Sequence, residues 1–164
     1  MRAAIPGIVP TAVPMSQFDG MYTPVIVRAV DDDGRLIGAA LSCRAQVAAM
    51  ASMMPGQTLP GSDDFGPVMD SHSELDLLAV APDAQGQGVG SALLSAVEAR
   101  LRERGVRCWF GNVTEDSDAE RLRRFYERQG FNVGLPGQPL PPLLGRTWVL
   151  PRTPPAAFFF WRSF

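Results

Sequence analysis

The chain has 164 residues and a mass of 17.7 kDa, 46% of it hydrophobic with a mean hydropathy of +0.01, which fits one compact domain over residues 1–164 and argues against disorder and membrane spanning. A net charge of −2, from 15 arginines against 17 acidic groups, leaves no surplus positive potential to hold a nucleic-acid backbone. The chain contains no lysine, which excludes a cofactor Schiff base, a phosphate-loop lysine and a lysine general base.

Cys43 and Cys108 lack CxxC spacing and His72 is the single histidine, so neither a metal site nor a redox pair is expected. The N-terminus lacks the charged start and continuous apolar run of a secretory signal, and Ala157–Trp161 falls far short of the ~20 residues of a span. A reduced, cytoplasmic protein is expected.

In chain order, Pro6, Pro10 and Pro14 restrict residues 1–20 to irregular or edge-strand geometry. Val25–Val30, the turn Asp31-Asp32-Asp33-Gly34 and Arg35–Cys43 read as a β-hairpin. Ala45–Met54 has the composition of a short helix ending before Pro55. Residues 44–73 form an atypical insertion. Its Pro-rich part, 55–73, is a candidate lid whose Asp63, Asp64 and Asp70 read first as a solvated loop and second as a patch attracting a cationic amine. Leu75–Val80 reads as a largely buried strand. Gly86, Gly88 and Gly90 then form a turn into a helix whose Leu93, Leu94, Val97 and Leu101 share one face, closed by Gly105. Val106–Val113 reads as a strand with Val106, Cys108 and Phe110 inward and Arg107 and Trp109 outward. Ser117-Asp118-Ala119-Glu120 is a capping-box pattern before a second helix bearing Leu122, Phe125, Tyr126 and Gln129, stopped by Gly130. Beyond the Pro-rich stretch to Pro142, Arg146–Leu150 and Ala157–Phe164 are strand-like. Phe158–Trp161 is either a last core strand or an exposed edge that pairs with a second copy in a homodimer. Strand, glycine turn, helix, strand and helix give an α/β class with a crossover helix.

A glycine turn feeding a helix aims backbone amides and the positive end of the helix dipole at one point, which suits a phosphate. The phosphate-loop pattern fails for want of Gly-Lys, and GxGxxG fails because Ser91 stands where the last glycine belongs. Gln85-Gly86-Gln87-Gly88-Val89-Gly90 instead resembles the [Q/R]-x-x-G-x-[G/A] signature of the GCN5-related N-acetyltransferases (GNAT). The likeness extends back through Glu74–Pro82 and forward to Arg124–Phe131, whose Tyr126-Glu127 and Gly130-Phe131 resemble the family's tyrosine helix. This resemblance implies a mixed, mostly antiparallel central sheet with a splayed parallel strand pair and flanking helices, acting on acetyl-CoA as cosubstrate.

Residue by residue, the resemblance implies that the turn Gln85, Gly86, Gln87, Gly88, Val89 and Gly90, with Ser91 at the helix start, cradles the CoA pyrophosphate. Leu78, Ala79 and Val80 would offer backbone groups to the acetyl carbonyl and pantetheine arm. Tyr126 takes the position that protonates the departing sulfur, and Glu74 that of a carboxylate receiving the amine proton. Asp76, two residues on and so on the same side of an ideal strand, is the second choice after Glu74. His72 has the right intrinsic pKa for a base but lies in the loop. Two departures stand out. Ala119 replaces the family's common asparagine, whose contact Asp118 or Asn112 could supply, and residues 1–20 cannot form the helices that usually wall the acceptor site. The expected acceptor is a small-molecule amine; a peptide amine, or a CoA-binding module without catalysis, are the alternatives.

Overall fold

The structure, a computed structural model, describes residues 8–10, 22–44, 70–116, 118–140 and 156–164. The expected hairpin comprises β2 (Val25–Val30) and β3 (Leu36–Arg44). Its turn is held by Asp31, whose Oδ1 accepts the Asp33 and Arg35 amides at 3.2 and 2.8 Å. β1 (Ile8–Pro10) lies antiparallel on β2 as an edge strand, where a proline leaves no ladder partner unmet. β3 pairs antiparallel with β4 (His72–Val80), which starts three residues before the apolar run at Leu75. A 3-10 turn at Pro82–Ala84 and the glycine turn lead into α1 (Val89–Glu103), which packs on β2 and β3 and buries Leu93, Leu94, Val97 and Leu101. β5 (Cys108–Thr114), α2 (Ala119–Arg128), β6 (Asn132–Val133) and β7 (Ala157–Ser163) complete the order. The sheet runs β1-β2-β3-β4-β5-β7-β6, antiparallel throughout except for the parallel β4–β5 pair. This is the mixed, mostly antiparallel sheet with flanking helices that the resemblance implies.

Both helices close alike. The amides of Val106 and Phe131 reach back to the carbonyls of Leu101 and Tyr126, and those of Gly105 and Gly130 to Arg102 and Glu127, the paired bonds of a Schellman motif. At the end of α2 this places the Phe131 ring edge-on to Tyr126, with centroids 5.7 Å apart.

The remaining differences come from non-local packing. The first half of β5 does not alternate, since Trp109, Phe110 and Gly111 are all buried while Cys108 is only half-buried; alternation appears only at the cleft end, where Asn112 and Thr114 are exposed about buried Val113. α2 starts with Asp118 as N-cap and has no side-chain cap, because the Asp118 carboxylate pairs with Arg121 at 3.0 Å, and Asp116 Oδ1 instead accepts the Asp118 amide. The aromatic run is no bare edge. β7 sits between β5 and β6 with Ala157–Phe160 buried, so it is the core strand of the two alternatives and not an edge open to a second copy. The expected 45–54 helix, the 146–150 strand and all of the candidate lid up to residue 69 lie outside the described residues. Asp70, the acidic lid position that is described, pairs with Arg44.

Candidate active site

β4 and β5 pair only at His72–Cys108, Ser73–Trp109 and Glu74–Phe110. Beyond that point β4 continues on β3 and β5 continues on β7, so the two strands diverge. The divergence coincides with a bulge: Leu41 opposes Leu77 and Ser42 opposes Leu75, leaving Asp76 as the extra residue on β4. At its root, the fully buried Ser42 hydroxyl joins three strands. It accepts the Trp109 indole N–H at 3.0 Å, donates to the Glu74 carbonyl at 2.7 Å and lies 2.8 Å from Ser73 Oγ. Between the splayed strands opens a cleft of about 280 Å³ whose lining includes Asp76, Leu77, Leu78, Asn112, Tyr126 and Phe160. Leu77, expected inside a buried strand, is 48% exposed, since β5 no longer covers it.

The bulge separates the two carboxylates. Because the extra residue breaks the two-residue alternation, Asp76 and Glu74 are not the same-face neighbours of an ideal strand. Asp76 lines the cleft; Glu74 is not among its lining residues and meets it through Asn112, whose Nδ2 lies 3.5 Å from Glu74 Oε1. Desolvation holds the Asp76 carboxyl above its ordinary pKa against the opposing hydrogen bonds from Cys43. His72 opens β4, half-buried, with Nδ1 2.7 Å from Ser71 Oγ.

Tyr126 is 6% exposed and borders the cleft. Its ring stacks on Phe160 with centroids 3.7 Å apart and 11° between planes, and meets Phe125 and Phe131 edge-on. Among the described residues its hydroxyl has no hydrogen-bond partner. Burial pushes the phenol up to about 12, so it is protonated at neutral pH and available to donate.

The glycine turn lies just beyond the end of β4. Gly88 is the N-cap of α1, in the left-handed region at φ 85°, a conformation costly for any residue bearing a Cβ. The first helical bond here runs from the Ala92 amide to the Gly88 carbonyl. The amides of Val89, Gly90 and Ser91 therefore precede the ladder, with no side-chain cap and no acidic residue in the first turn. A helix start of this kind fits an anionic pyrophosphate. The glutamine side chains brace the turn: Gln85 Nε2 donates to the Val80 carbonyl at 3.3 Å and Gln87 Nε2 to the Asp83 carbonyl at 2.8 Å. Gly90 has a packing role, since a Cβ there would stand 3.3 Å from Phe125 Cζ.

Of the two stand-ins considered for the missing asparagine, Asn112 lines the cleft, whereas Asp118 is paired with Arg121. Sequence reasoning missed Ser42, Cys43 and the place of Phe160 beside Tyr126. Ser42 within an expected apolar strand was the visible signal for the buried hydroxyl pair, while Ser73 fell in the expected loop; the ring stack had none.

The model of the acetyltransferase (GNAT) family matches residues 14–131. The chain belongs to that family. Members of the GNAT family use acetyl-CoA as cosubstrate. This GNAT chain is 42% identical over 60 residues to mycothiol acetyltransferase of Propionibacterium freudenreichii subsp. shermanii, a match covering 37% of the chain and only 19% of that longer protein. It shares its fold with a GNAT-family acetyltransferase of Desulfovibrio desulfuricans, at TM-score 0.59 and 22% identity over 90% of this chain and 72% of the other. A protein assigned as a streptothricin acetyltransferase of Bacillus anthracis, solved with acetyl coenzyme A, aligns at TM-score 0.55 and 13% identity over 86% of this chain and 62% of that one. Among the described residues, no group of His, Cys, Asp and Glu could hold a metal ion, and no helix is long and apolar enough to cross a membrane.

Proposed function

We propose that this chain transfers the acetyl group of acetyl-CoA to a primary amine of a small molecule, directly and with both substrates bound. One observation carries the reading: a buried phenol, unpartnered among the described residues, and a partly desolvated carboxylate border the same cleft, at the end of the strand that leads to the uncapped helix start. The name of the mycothiol acetyltransferase relative favours a small-molecule acceptor.

Acetyl-CoA supplies an activated thioester. The amides of Gln87, Gly88, Val89 and Gly90, with Ser91, take its pyrophosphate, and the edge of β4 released by the splay, at Leu78, Ala79 and Val80, offers backbone groups to the arm and carbonyl. Asp76 receives a proton from the incoming ammonium, because it borders the cleft and its raised pKa makes it a stronger base than an ordinary aspartate. Glu74 acts one step removed, through Asn112. The neutral amine then forms the new N–C bond as the C–S bond breaks. With its phenol pushed up to about 12, Tyr126 is a weaker acid than an ordinary alkyl thiol, about 8.5 for cysteine, and does not surrender its proton outright to the departing thiolate. Its contribution is a hydrogen bond to the developing charge on sulfur; the proton that ends on the thiol is the one the amine nitrogen loses as the amide forms.

The test is mass spectrometry of acetyl-CoA incubated with the protein and a pool of polyamines, aminoglycosides, amino acids and peptides. An acetylated small amine is expected, and its formation should drop about 100-fold in Tyr126→Phe, the loss of one preorganised donor to developing charge. Acetylation confined to peptides would refute the small-molecule acceptor. Acetyl-CoA binding without any acetylated product would refute transfer to the pooled amines and leave an acceptor outside the pool or a CoA-binding module.

A further inference from the structure

We propose that Gly111 and Phe160 are positioning residues that set the Tyr126 phenol at the cleft; the rate consequences rest on the role given to Tyr126 above, the geometry does not. Gly111 on β5 and Phe160 on β7 are directly opposed in the antiparallel ladder. A Cβ at Gly111 would stand 2.9 and 3.0 Å from the two Cε atoms of Phe160 and nearer still to Cζ. Real Cβ atoms do not approach so closely, so the ring occupies its place only because position 111 carries no side chain.

From there the Phe160 ring lies flat against Tyr126, 3.7 Å between centroids and 11° between planes, while Phe131 meets both rings edge-on at 5.3 and 5.7 Å. Phe160 and Tyr126 both border the cleft, and Phe160 is 1% exposed. The flat face of one ring therefore fixes the plane of the other. A tyrosine ring has two side-chain torsions; with Phe125 and Phe131 at its edges and Phe160 beneath it, neither has room to turn. The glycine is the remote end of this device: it touches neither cleft nor substrate, yet determines where Phe160, and through it the phenol, can lie.

The experiment combines a crystal structure of Gly111→Ala with rates of CoA release from acetyl-CoA, using spermidine as the amine probe and water as the background acceptor. In Gly111→Ala the Phe160 ring should be displaced and the Tyr126 hydroxyl carried with it by about 1 Å, lowering kcat about 10- to 100-fold. Phe160→Leu, which keeps bulk but removes the flat face, should lower kcat similarly while KM for acetyl-CoA stays within about threefold. In a Tyr126→Phe background, Phe160→Leu should change kcat by less than about twofold, because the group it orients is gone. An equal loss in both backgrounds would overturn the proposal, since a merely structural role ignores the phenol. If Tyr126→Phe alone leaves the rate unchanged, the role of Tyr126 fails, and the crystal structure decides the geometry: an unmoved Tyr126 beside a displaced Phe160 overturns it. Phe160→Leu supplies the structure if Gly111→Ala does not fold.

Discussion

Ser42→Ala tests the physical account of the splay. The Ser42 hydroxyl is fully buried and serves the Trp109 indole N–H and the Glu74 carbonyl, each on a strand of the diverging pair. Its removal orphans the indole N–H. Ser73, the third neighbour, keeps an acceptor in the Cys43 carbonyl at 2.9 Å and adds little. A buried polar group left unmet costs about 1–3 kcal/mol, which is the loss predicted here. For a domain of this size that lowers Tm by roughly 2–12 °C. Urea denaturation followed by circular dichroism measures the change directly. Trp109→Phe provides the control, because removing the indole donor as well eliminates that orphan, and the double variant should be more stable than the sum of the single losses predicts by about 1–2 kcal/mol. A Ser42→Ala protein within about 0.5 kcal/mol of the parent, or a strictly additive cycle, would refute the idea that this hydroxyl ties the strands together.

Asp76→Asn should abolish the acidic limb of the pH dependence of kcat/KM; in the parent that limb should lie above the ordinary aspartate value of 3.8, because desolvation raises this carboxyl and the base must be ionised to act. Retention of the limb in the variant would assign it elsewhere. The Tyr126 phenol titrates at about 12 in the folded chain against 10.0 when free, so the unfolded state loses its proton first. Stability should therefore fall as pH rises from about 10 to about 12, by on the order of 3 kcal/mol from this group, and Tyr126→Phe should lack that increment in alkaline denaturation. Burial pushes the Cys108 thiol up to about 11, so Cys108 should resist thiol reagents at neutral pH in the native protein and react on unfolding. Gly88→Ala forces a Cβ into the left-handed N-cap; it should cost about 1–2 kcal/mol of stability and weaken acetyl-CoA binding measured by calorimetry, and unchanged affinity would remove this turn from the binding site.

Local signals were legible in the chain itself. The hairpin, the glycine turn, the apolar face of α1 and the glycine stops of both helices depend on contacts within a few residues, where a left-handed glycine or a four-residue spacing has one structural meaning. Two motifs at the right separation also carried the family resemblance, which the match over residues 14–131 bears out. Tertiary structure decided what depends on distant partners. That β7 inserts between β5 and β6, that β5 is buried without alternation from Trp109 to Gly111, and that β4 gains an extra residue opposite the Leu41–Ser42 step follow from strand pairings between segments far apart in sequence. The bulge is the clearest instance. In an ideal strand Glu74 and Asp76 share a face; one extra residue on β4, between the Leu41–Leu77 and Ser42–Leu75 pairs, brings Asp76 to the cleft, while Glu74 meets it through Asn112. Strand periodicity is a local rule, and a register shift is set by the neighbouring strands that the sequence does not display side by side.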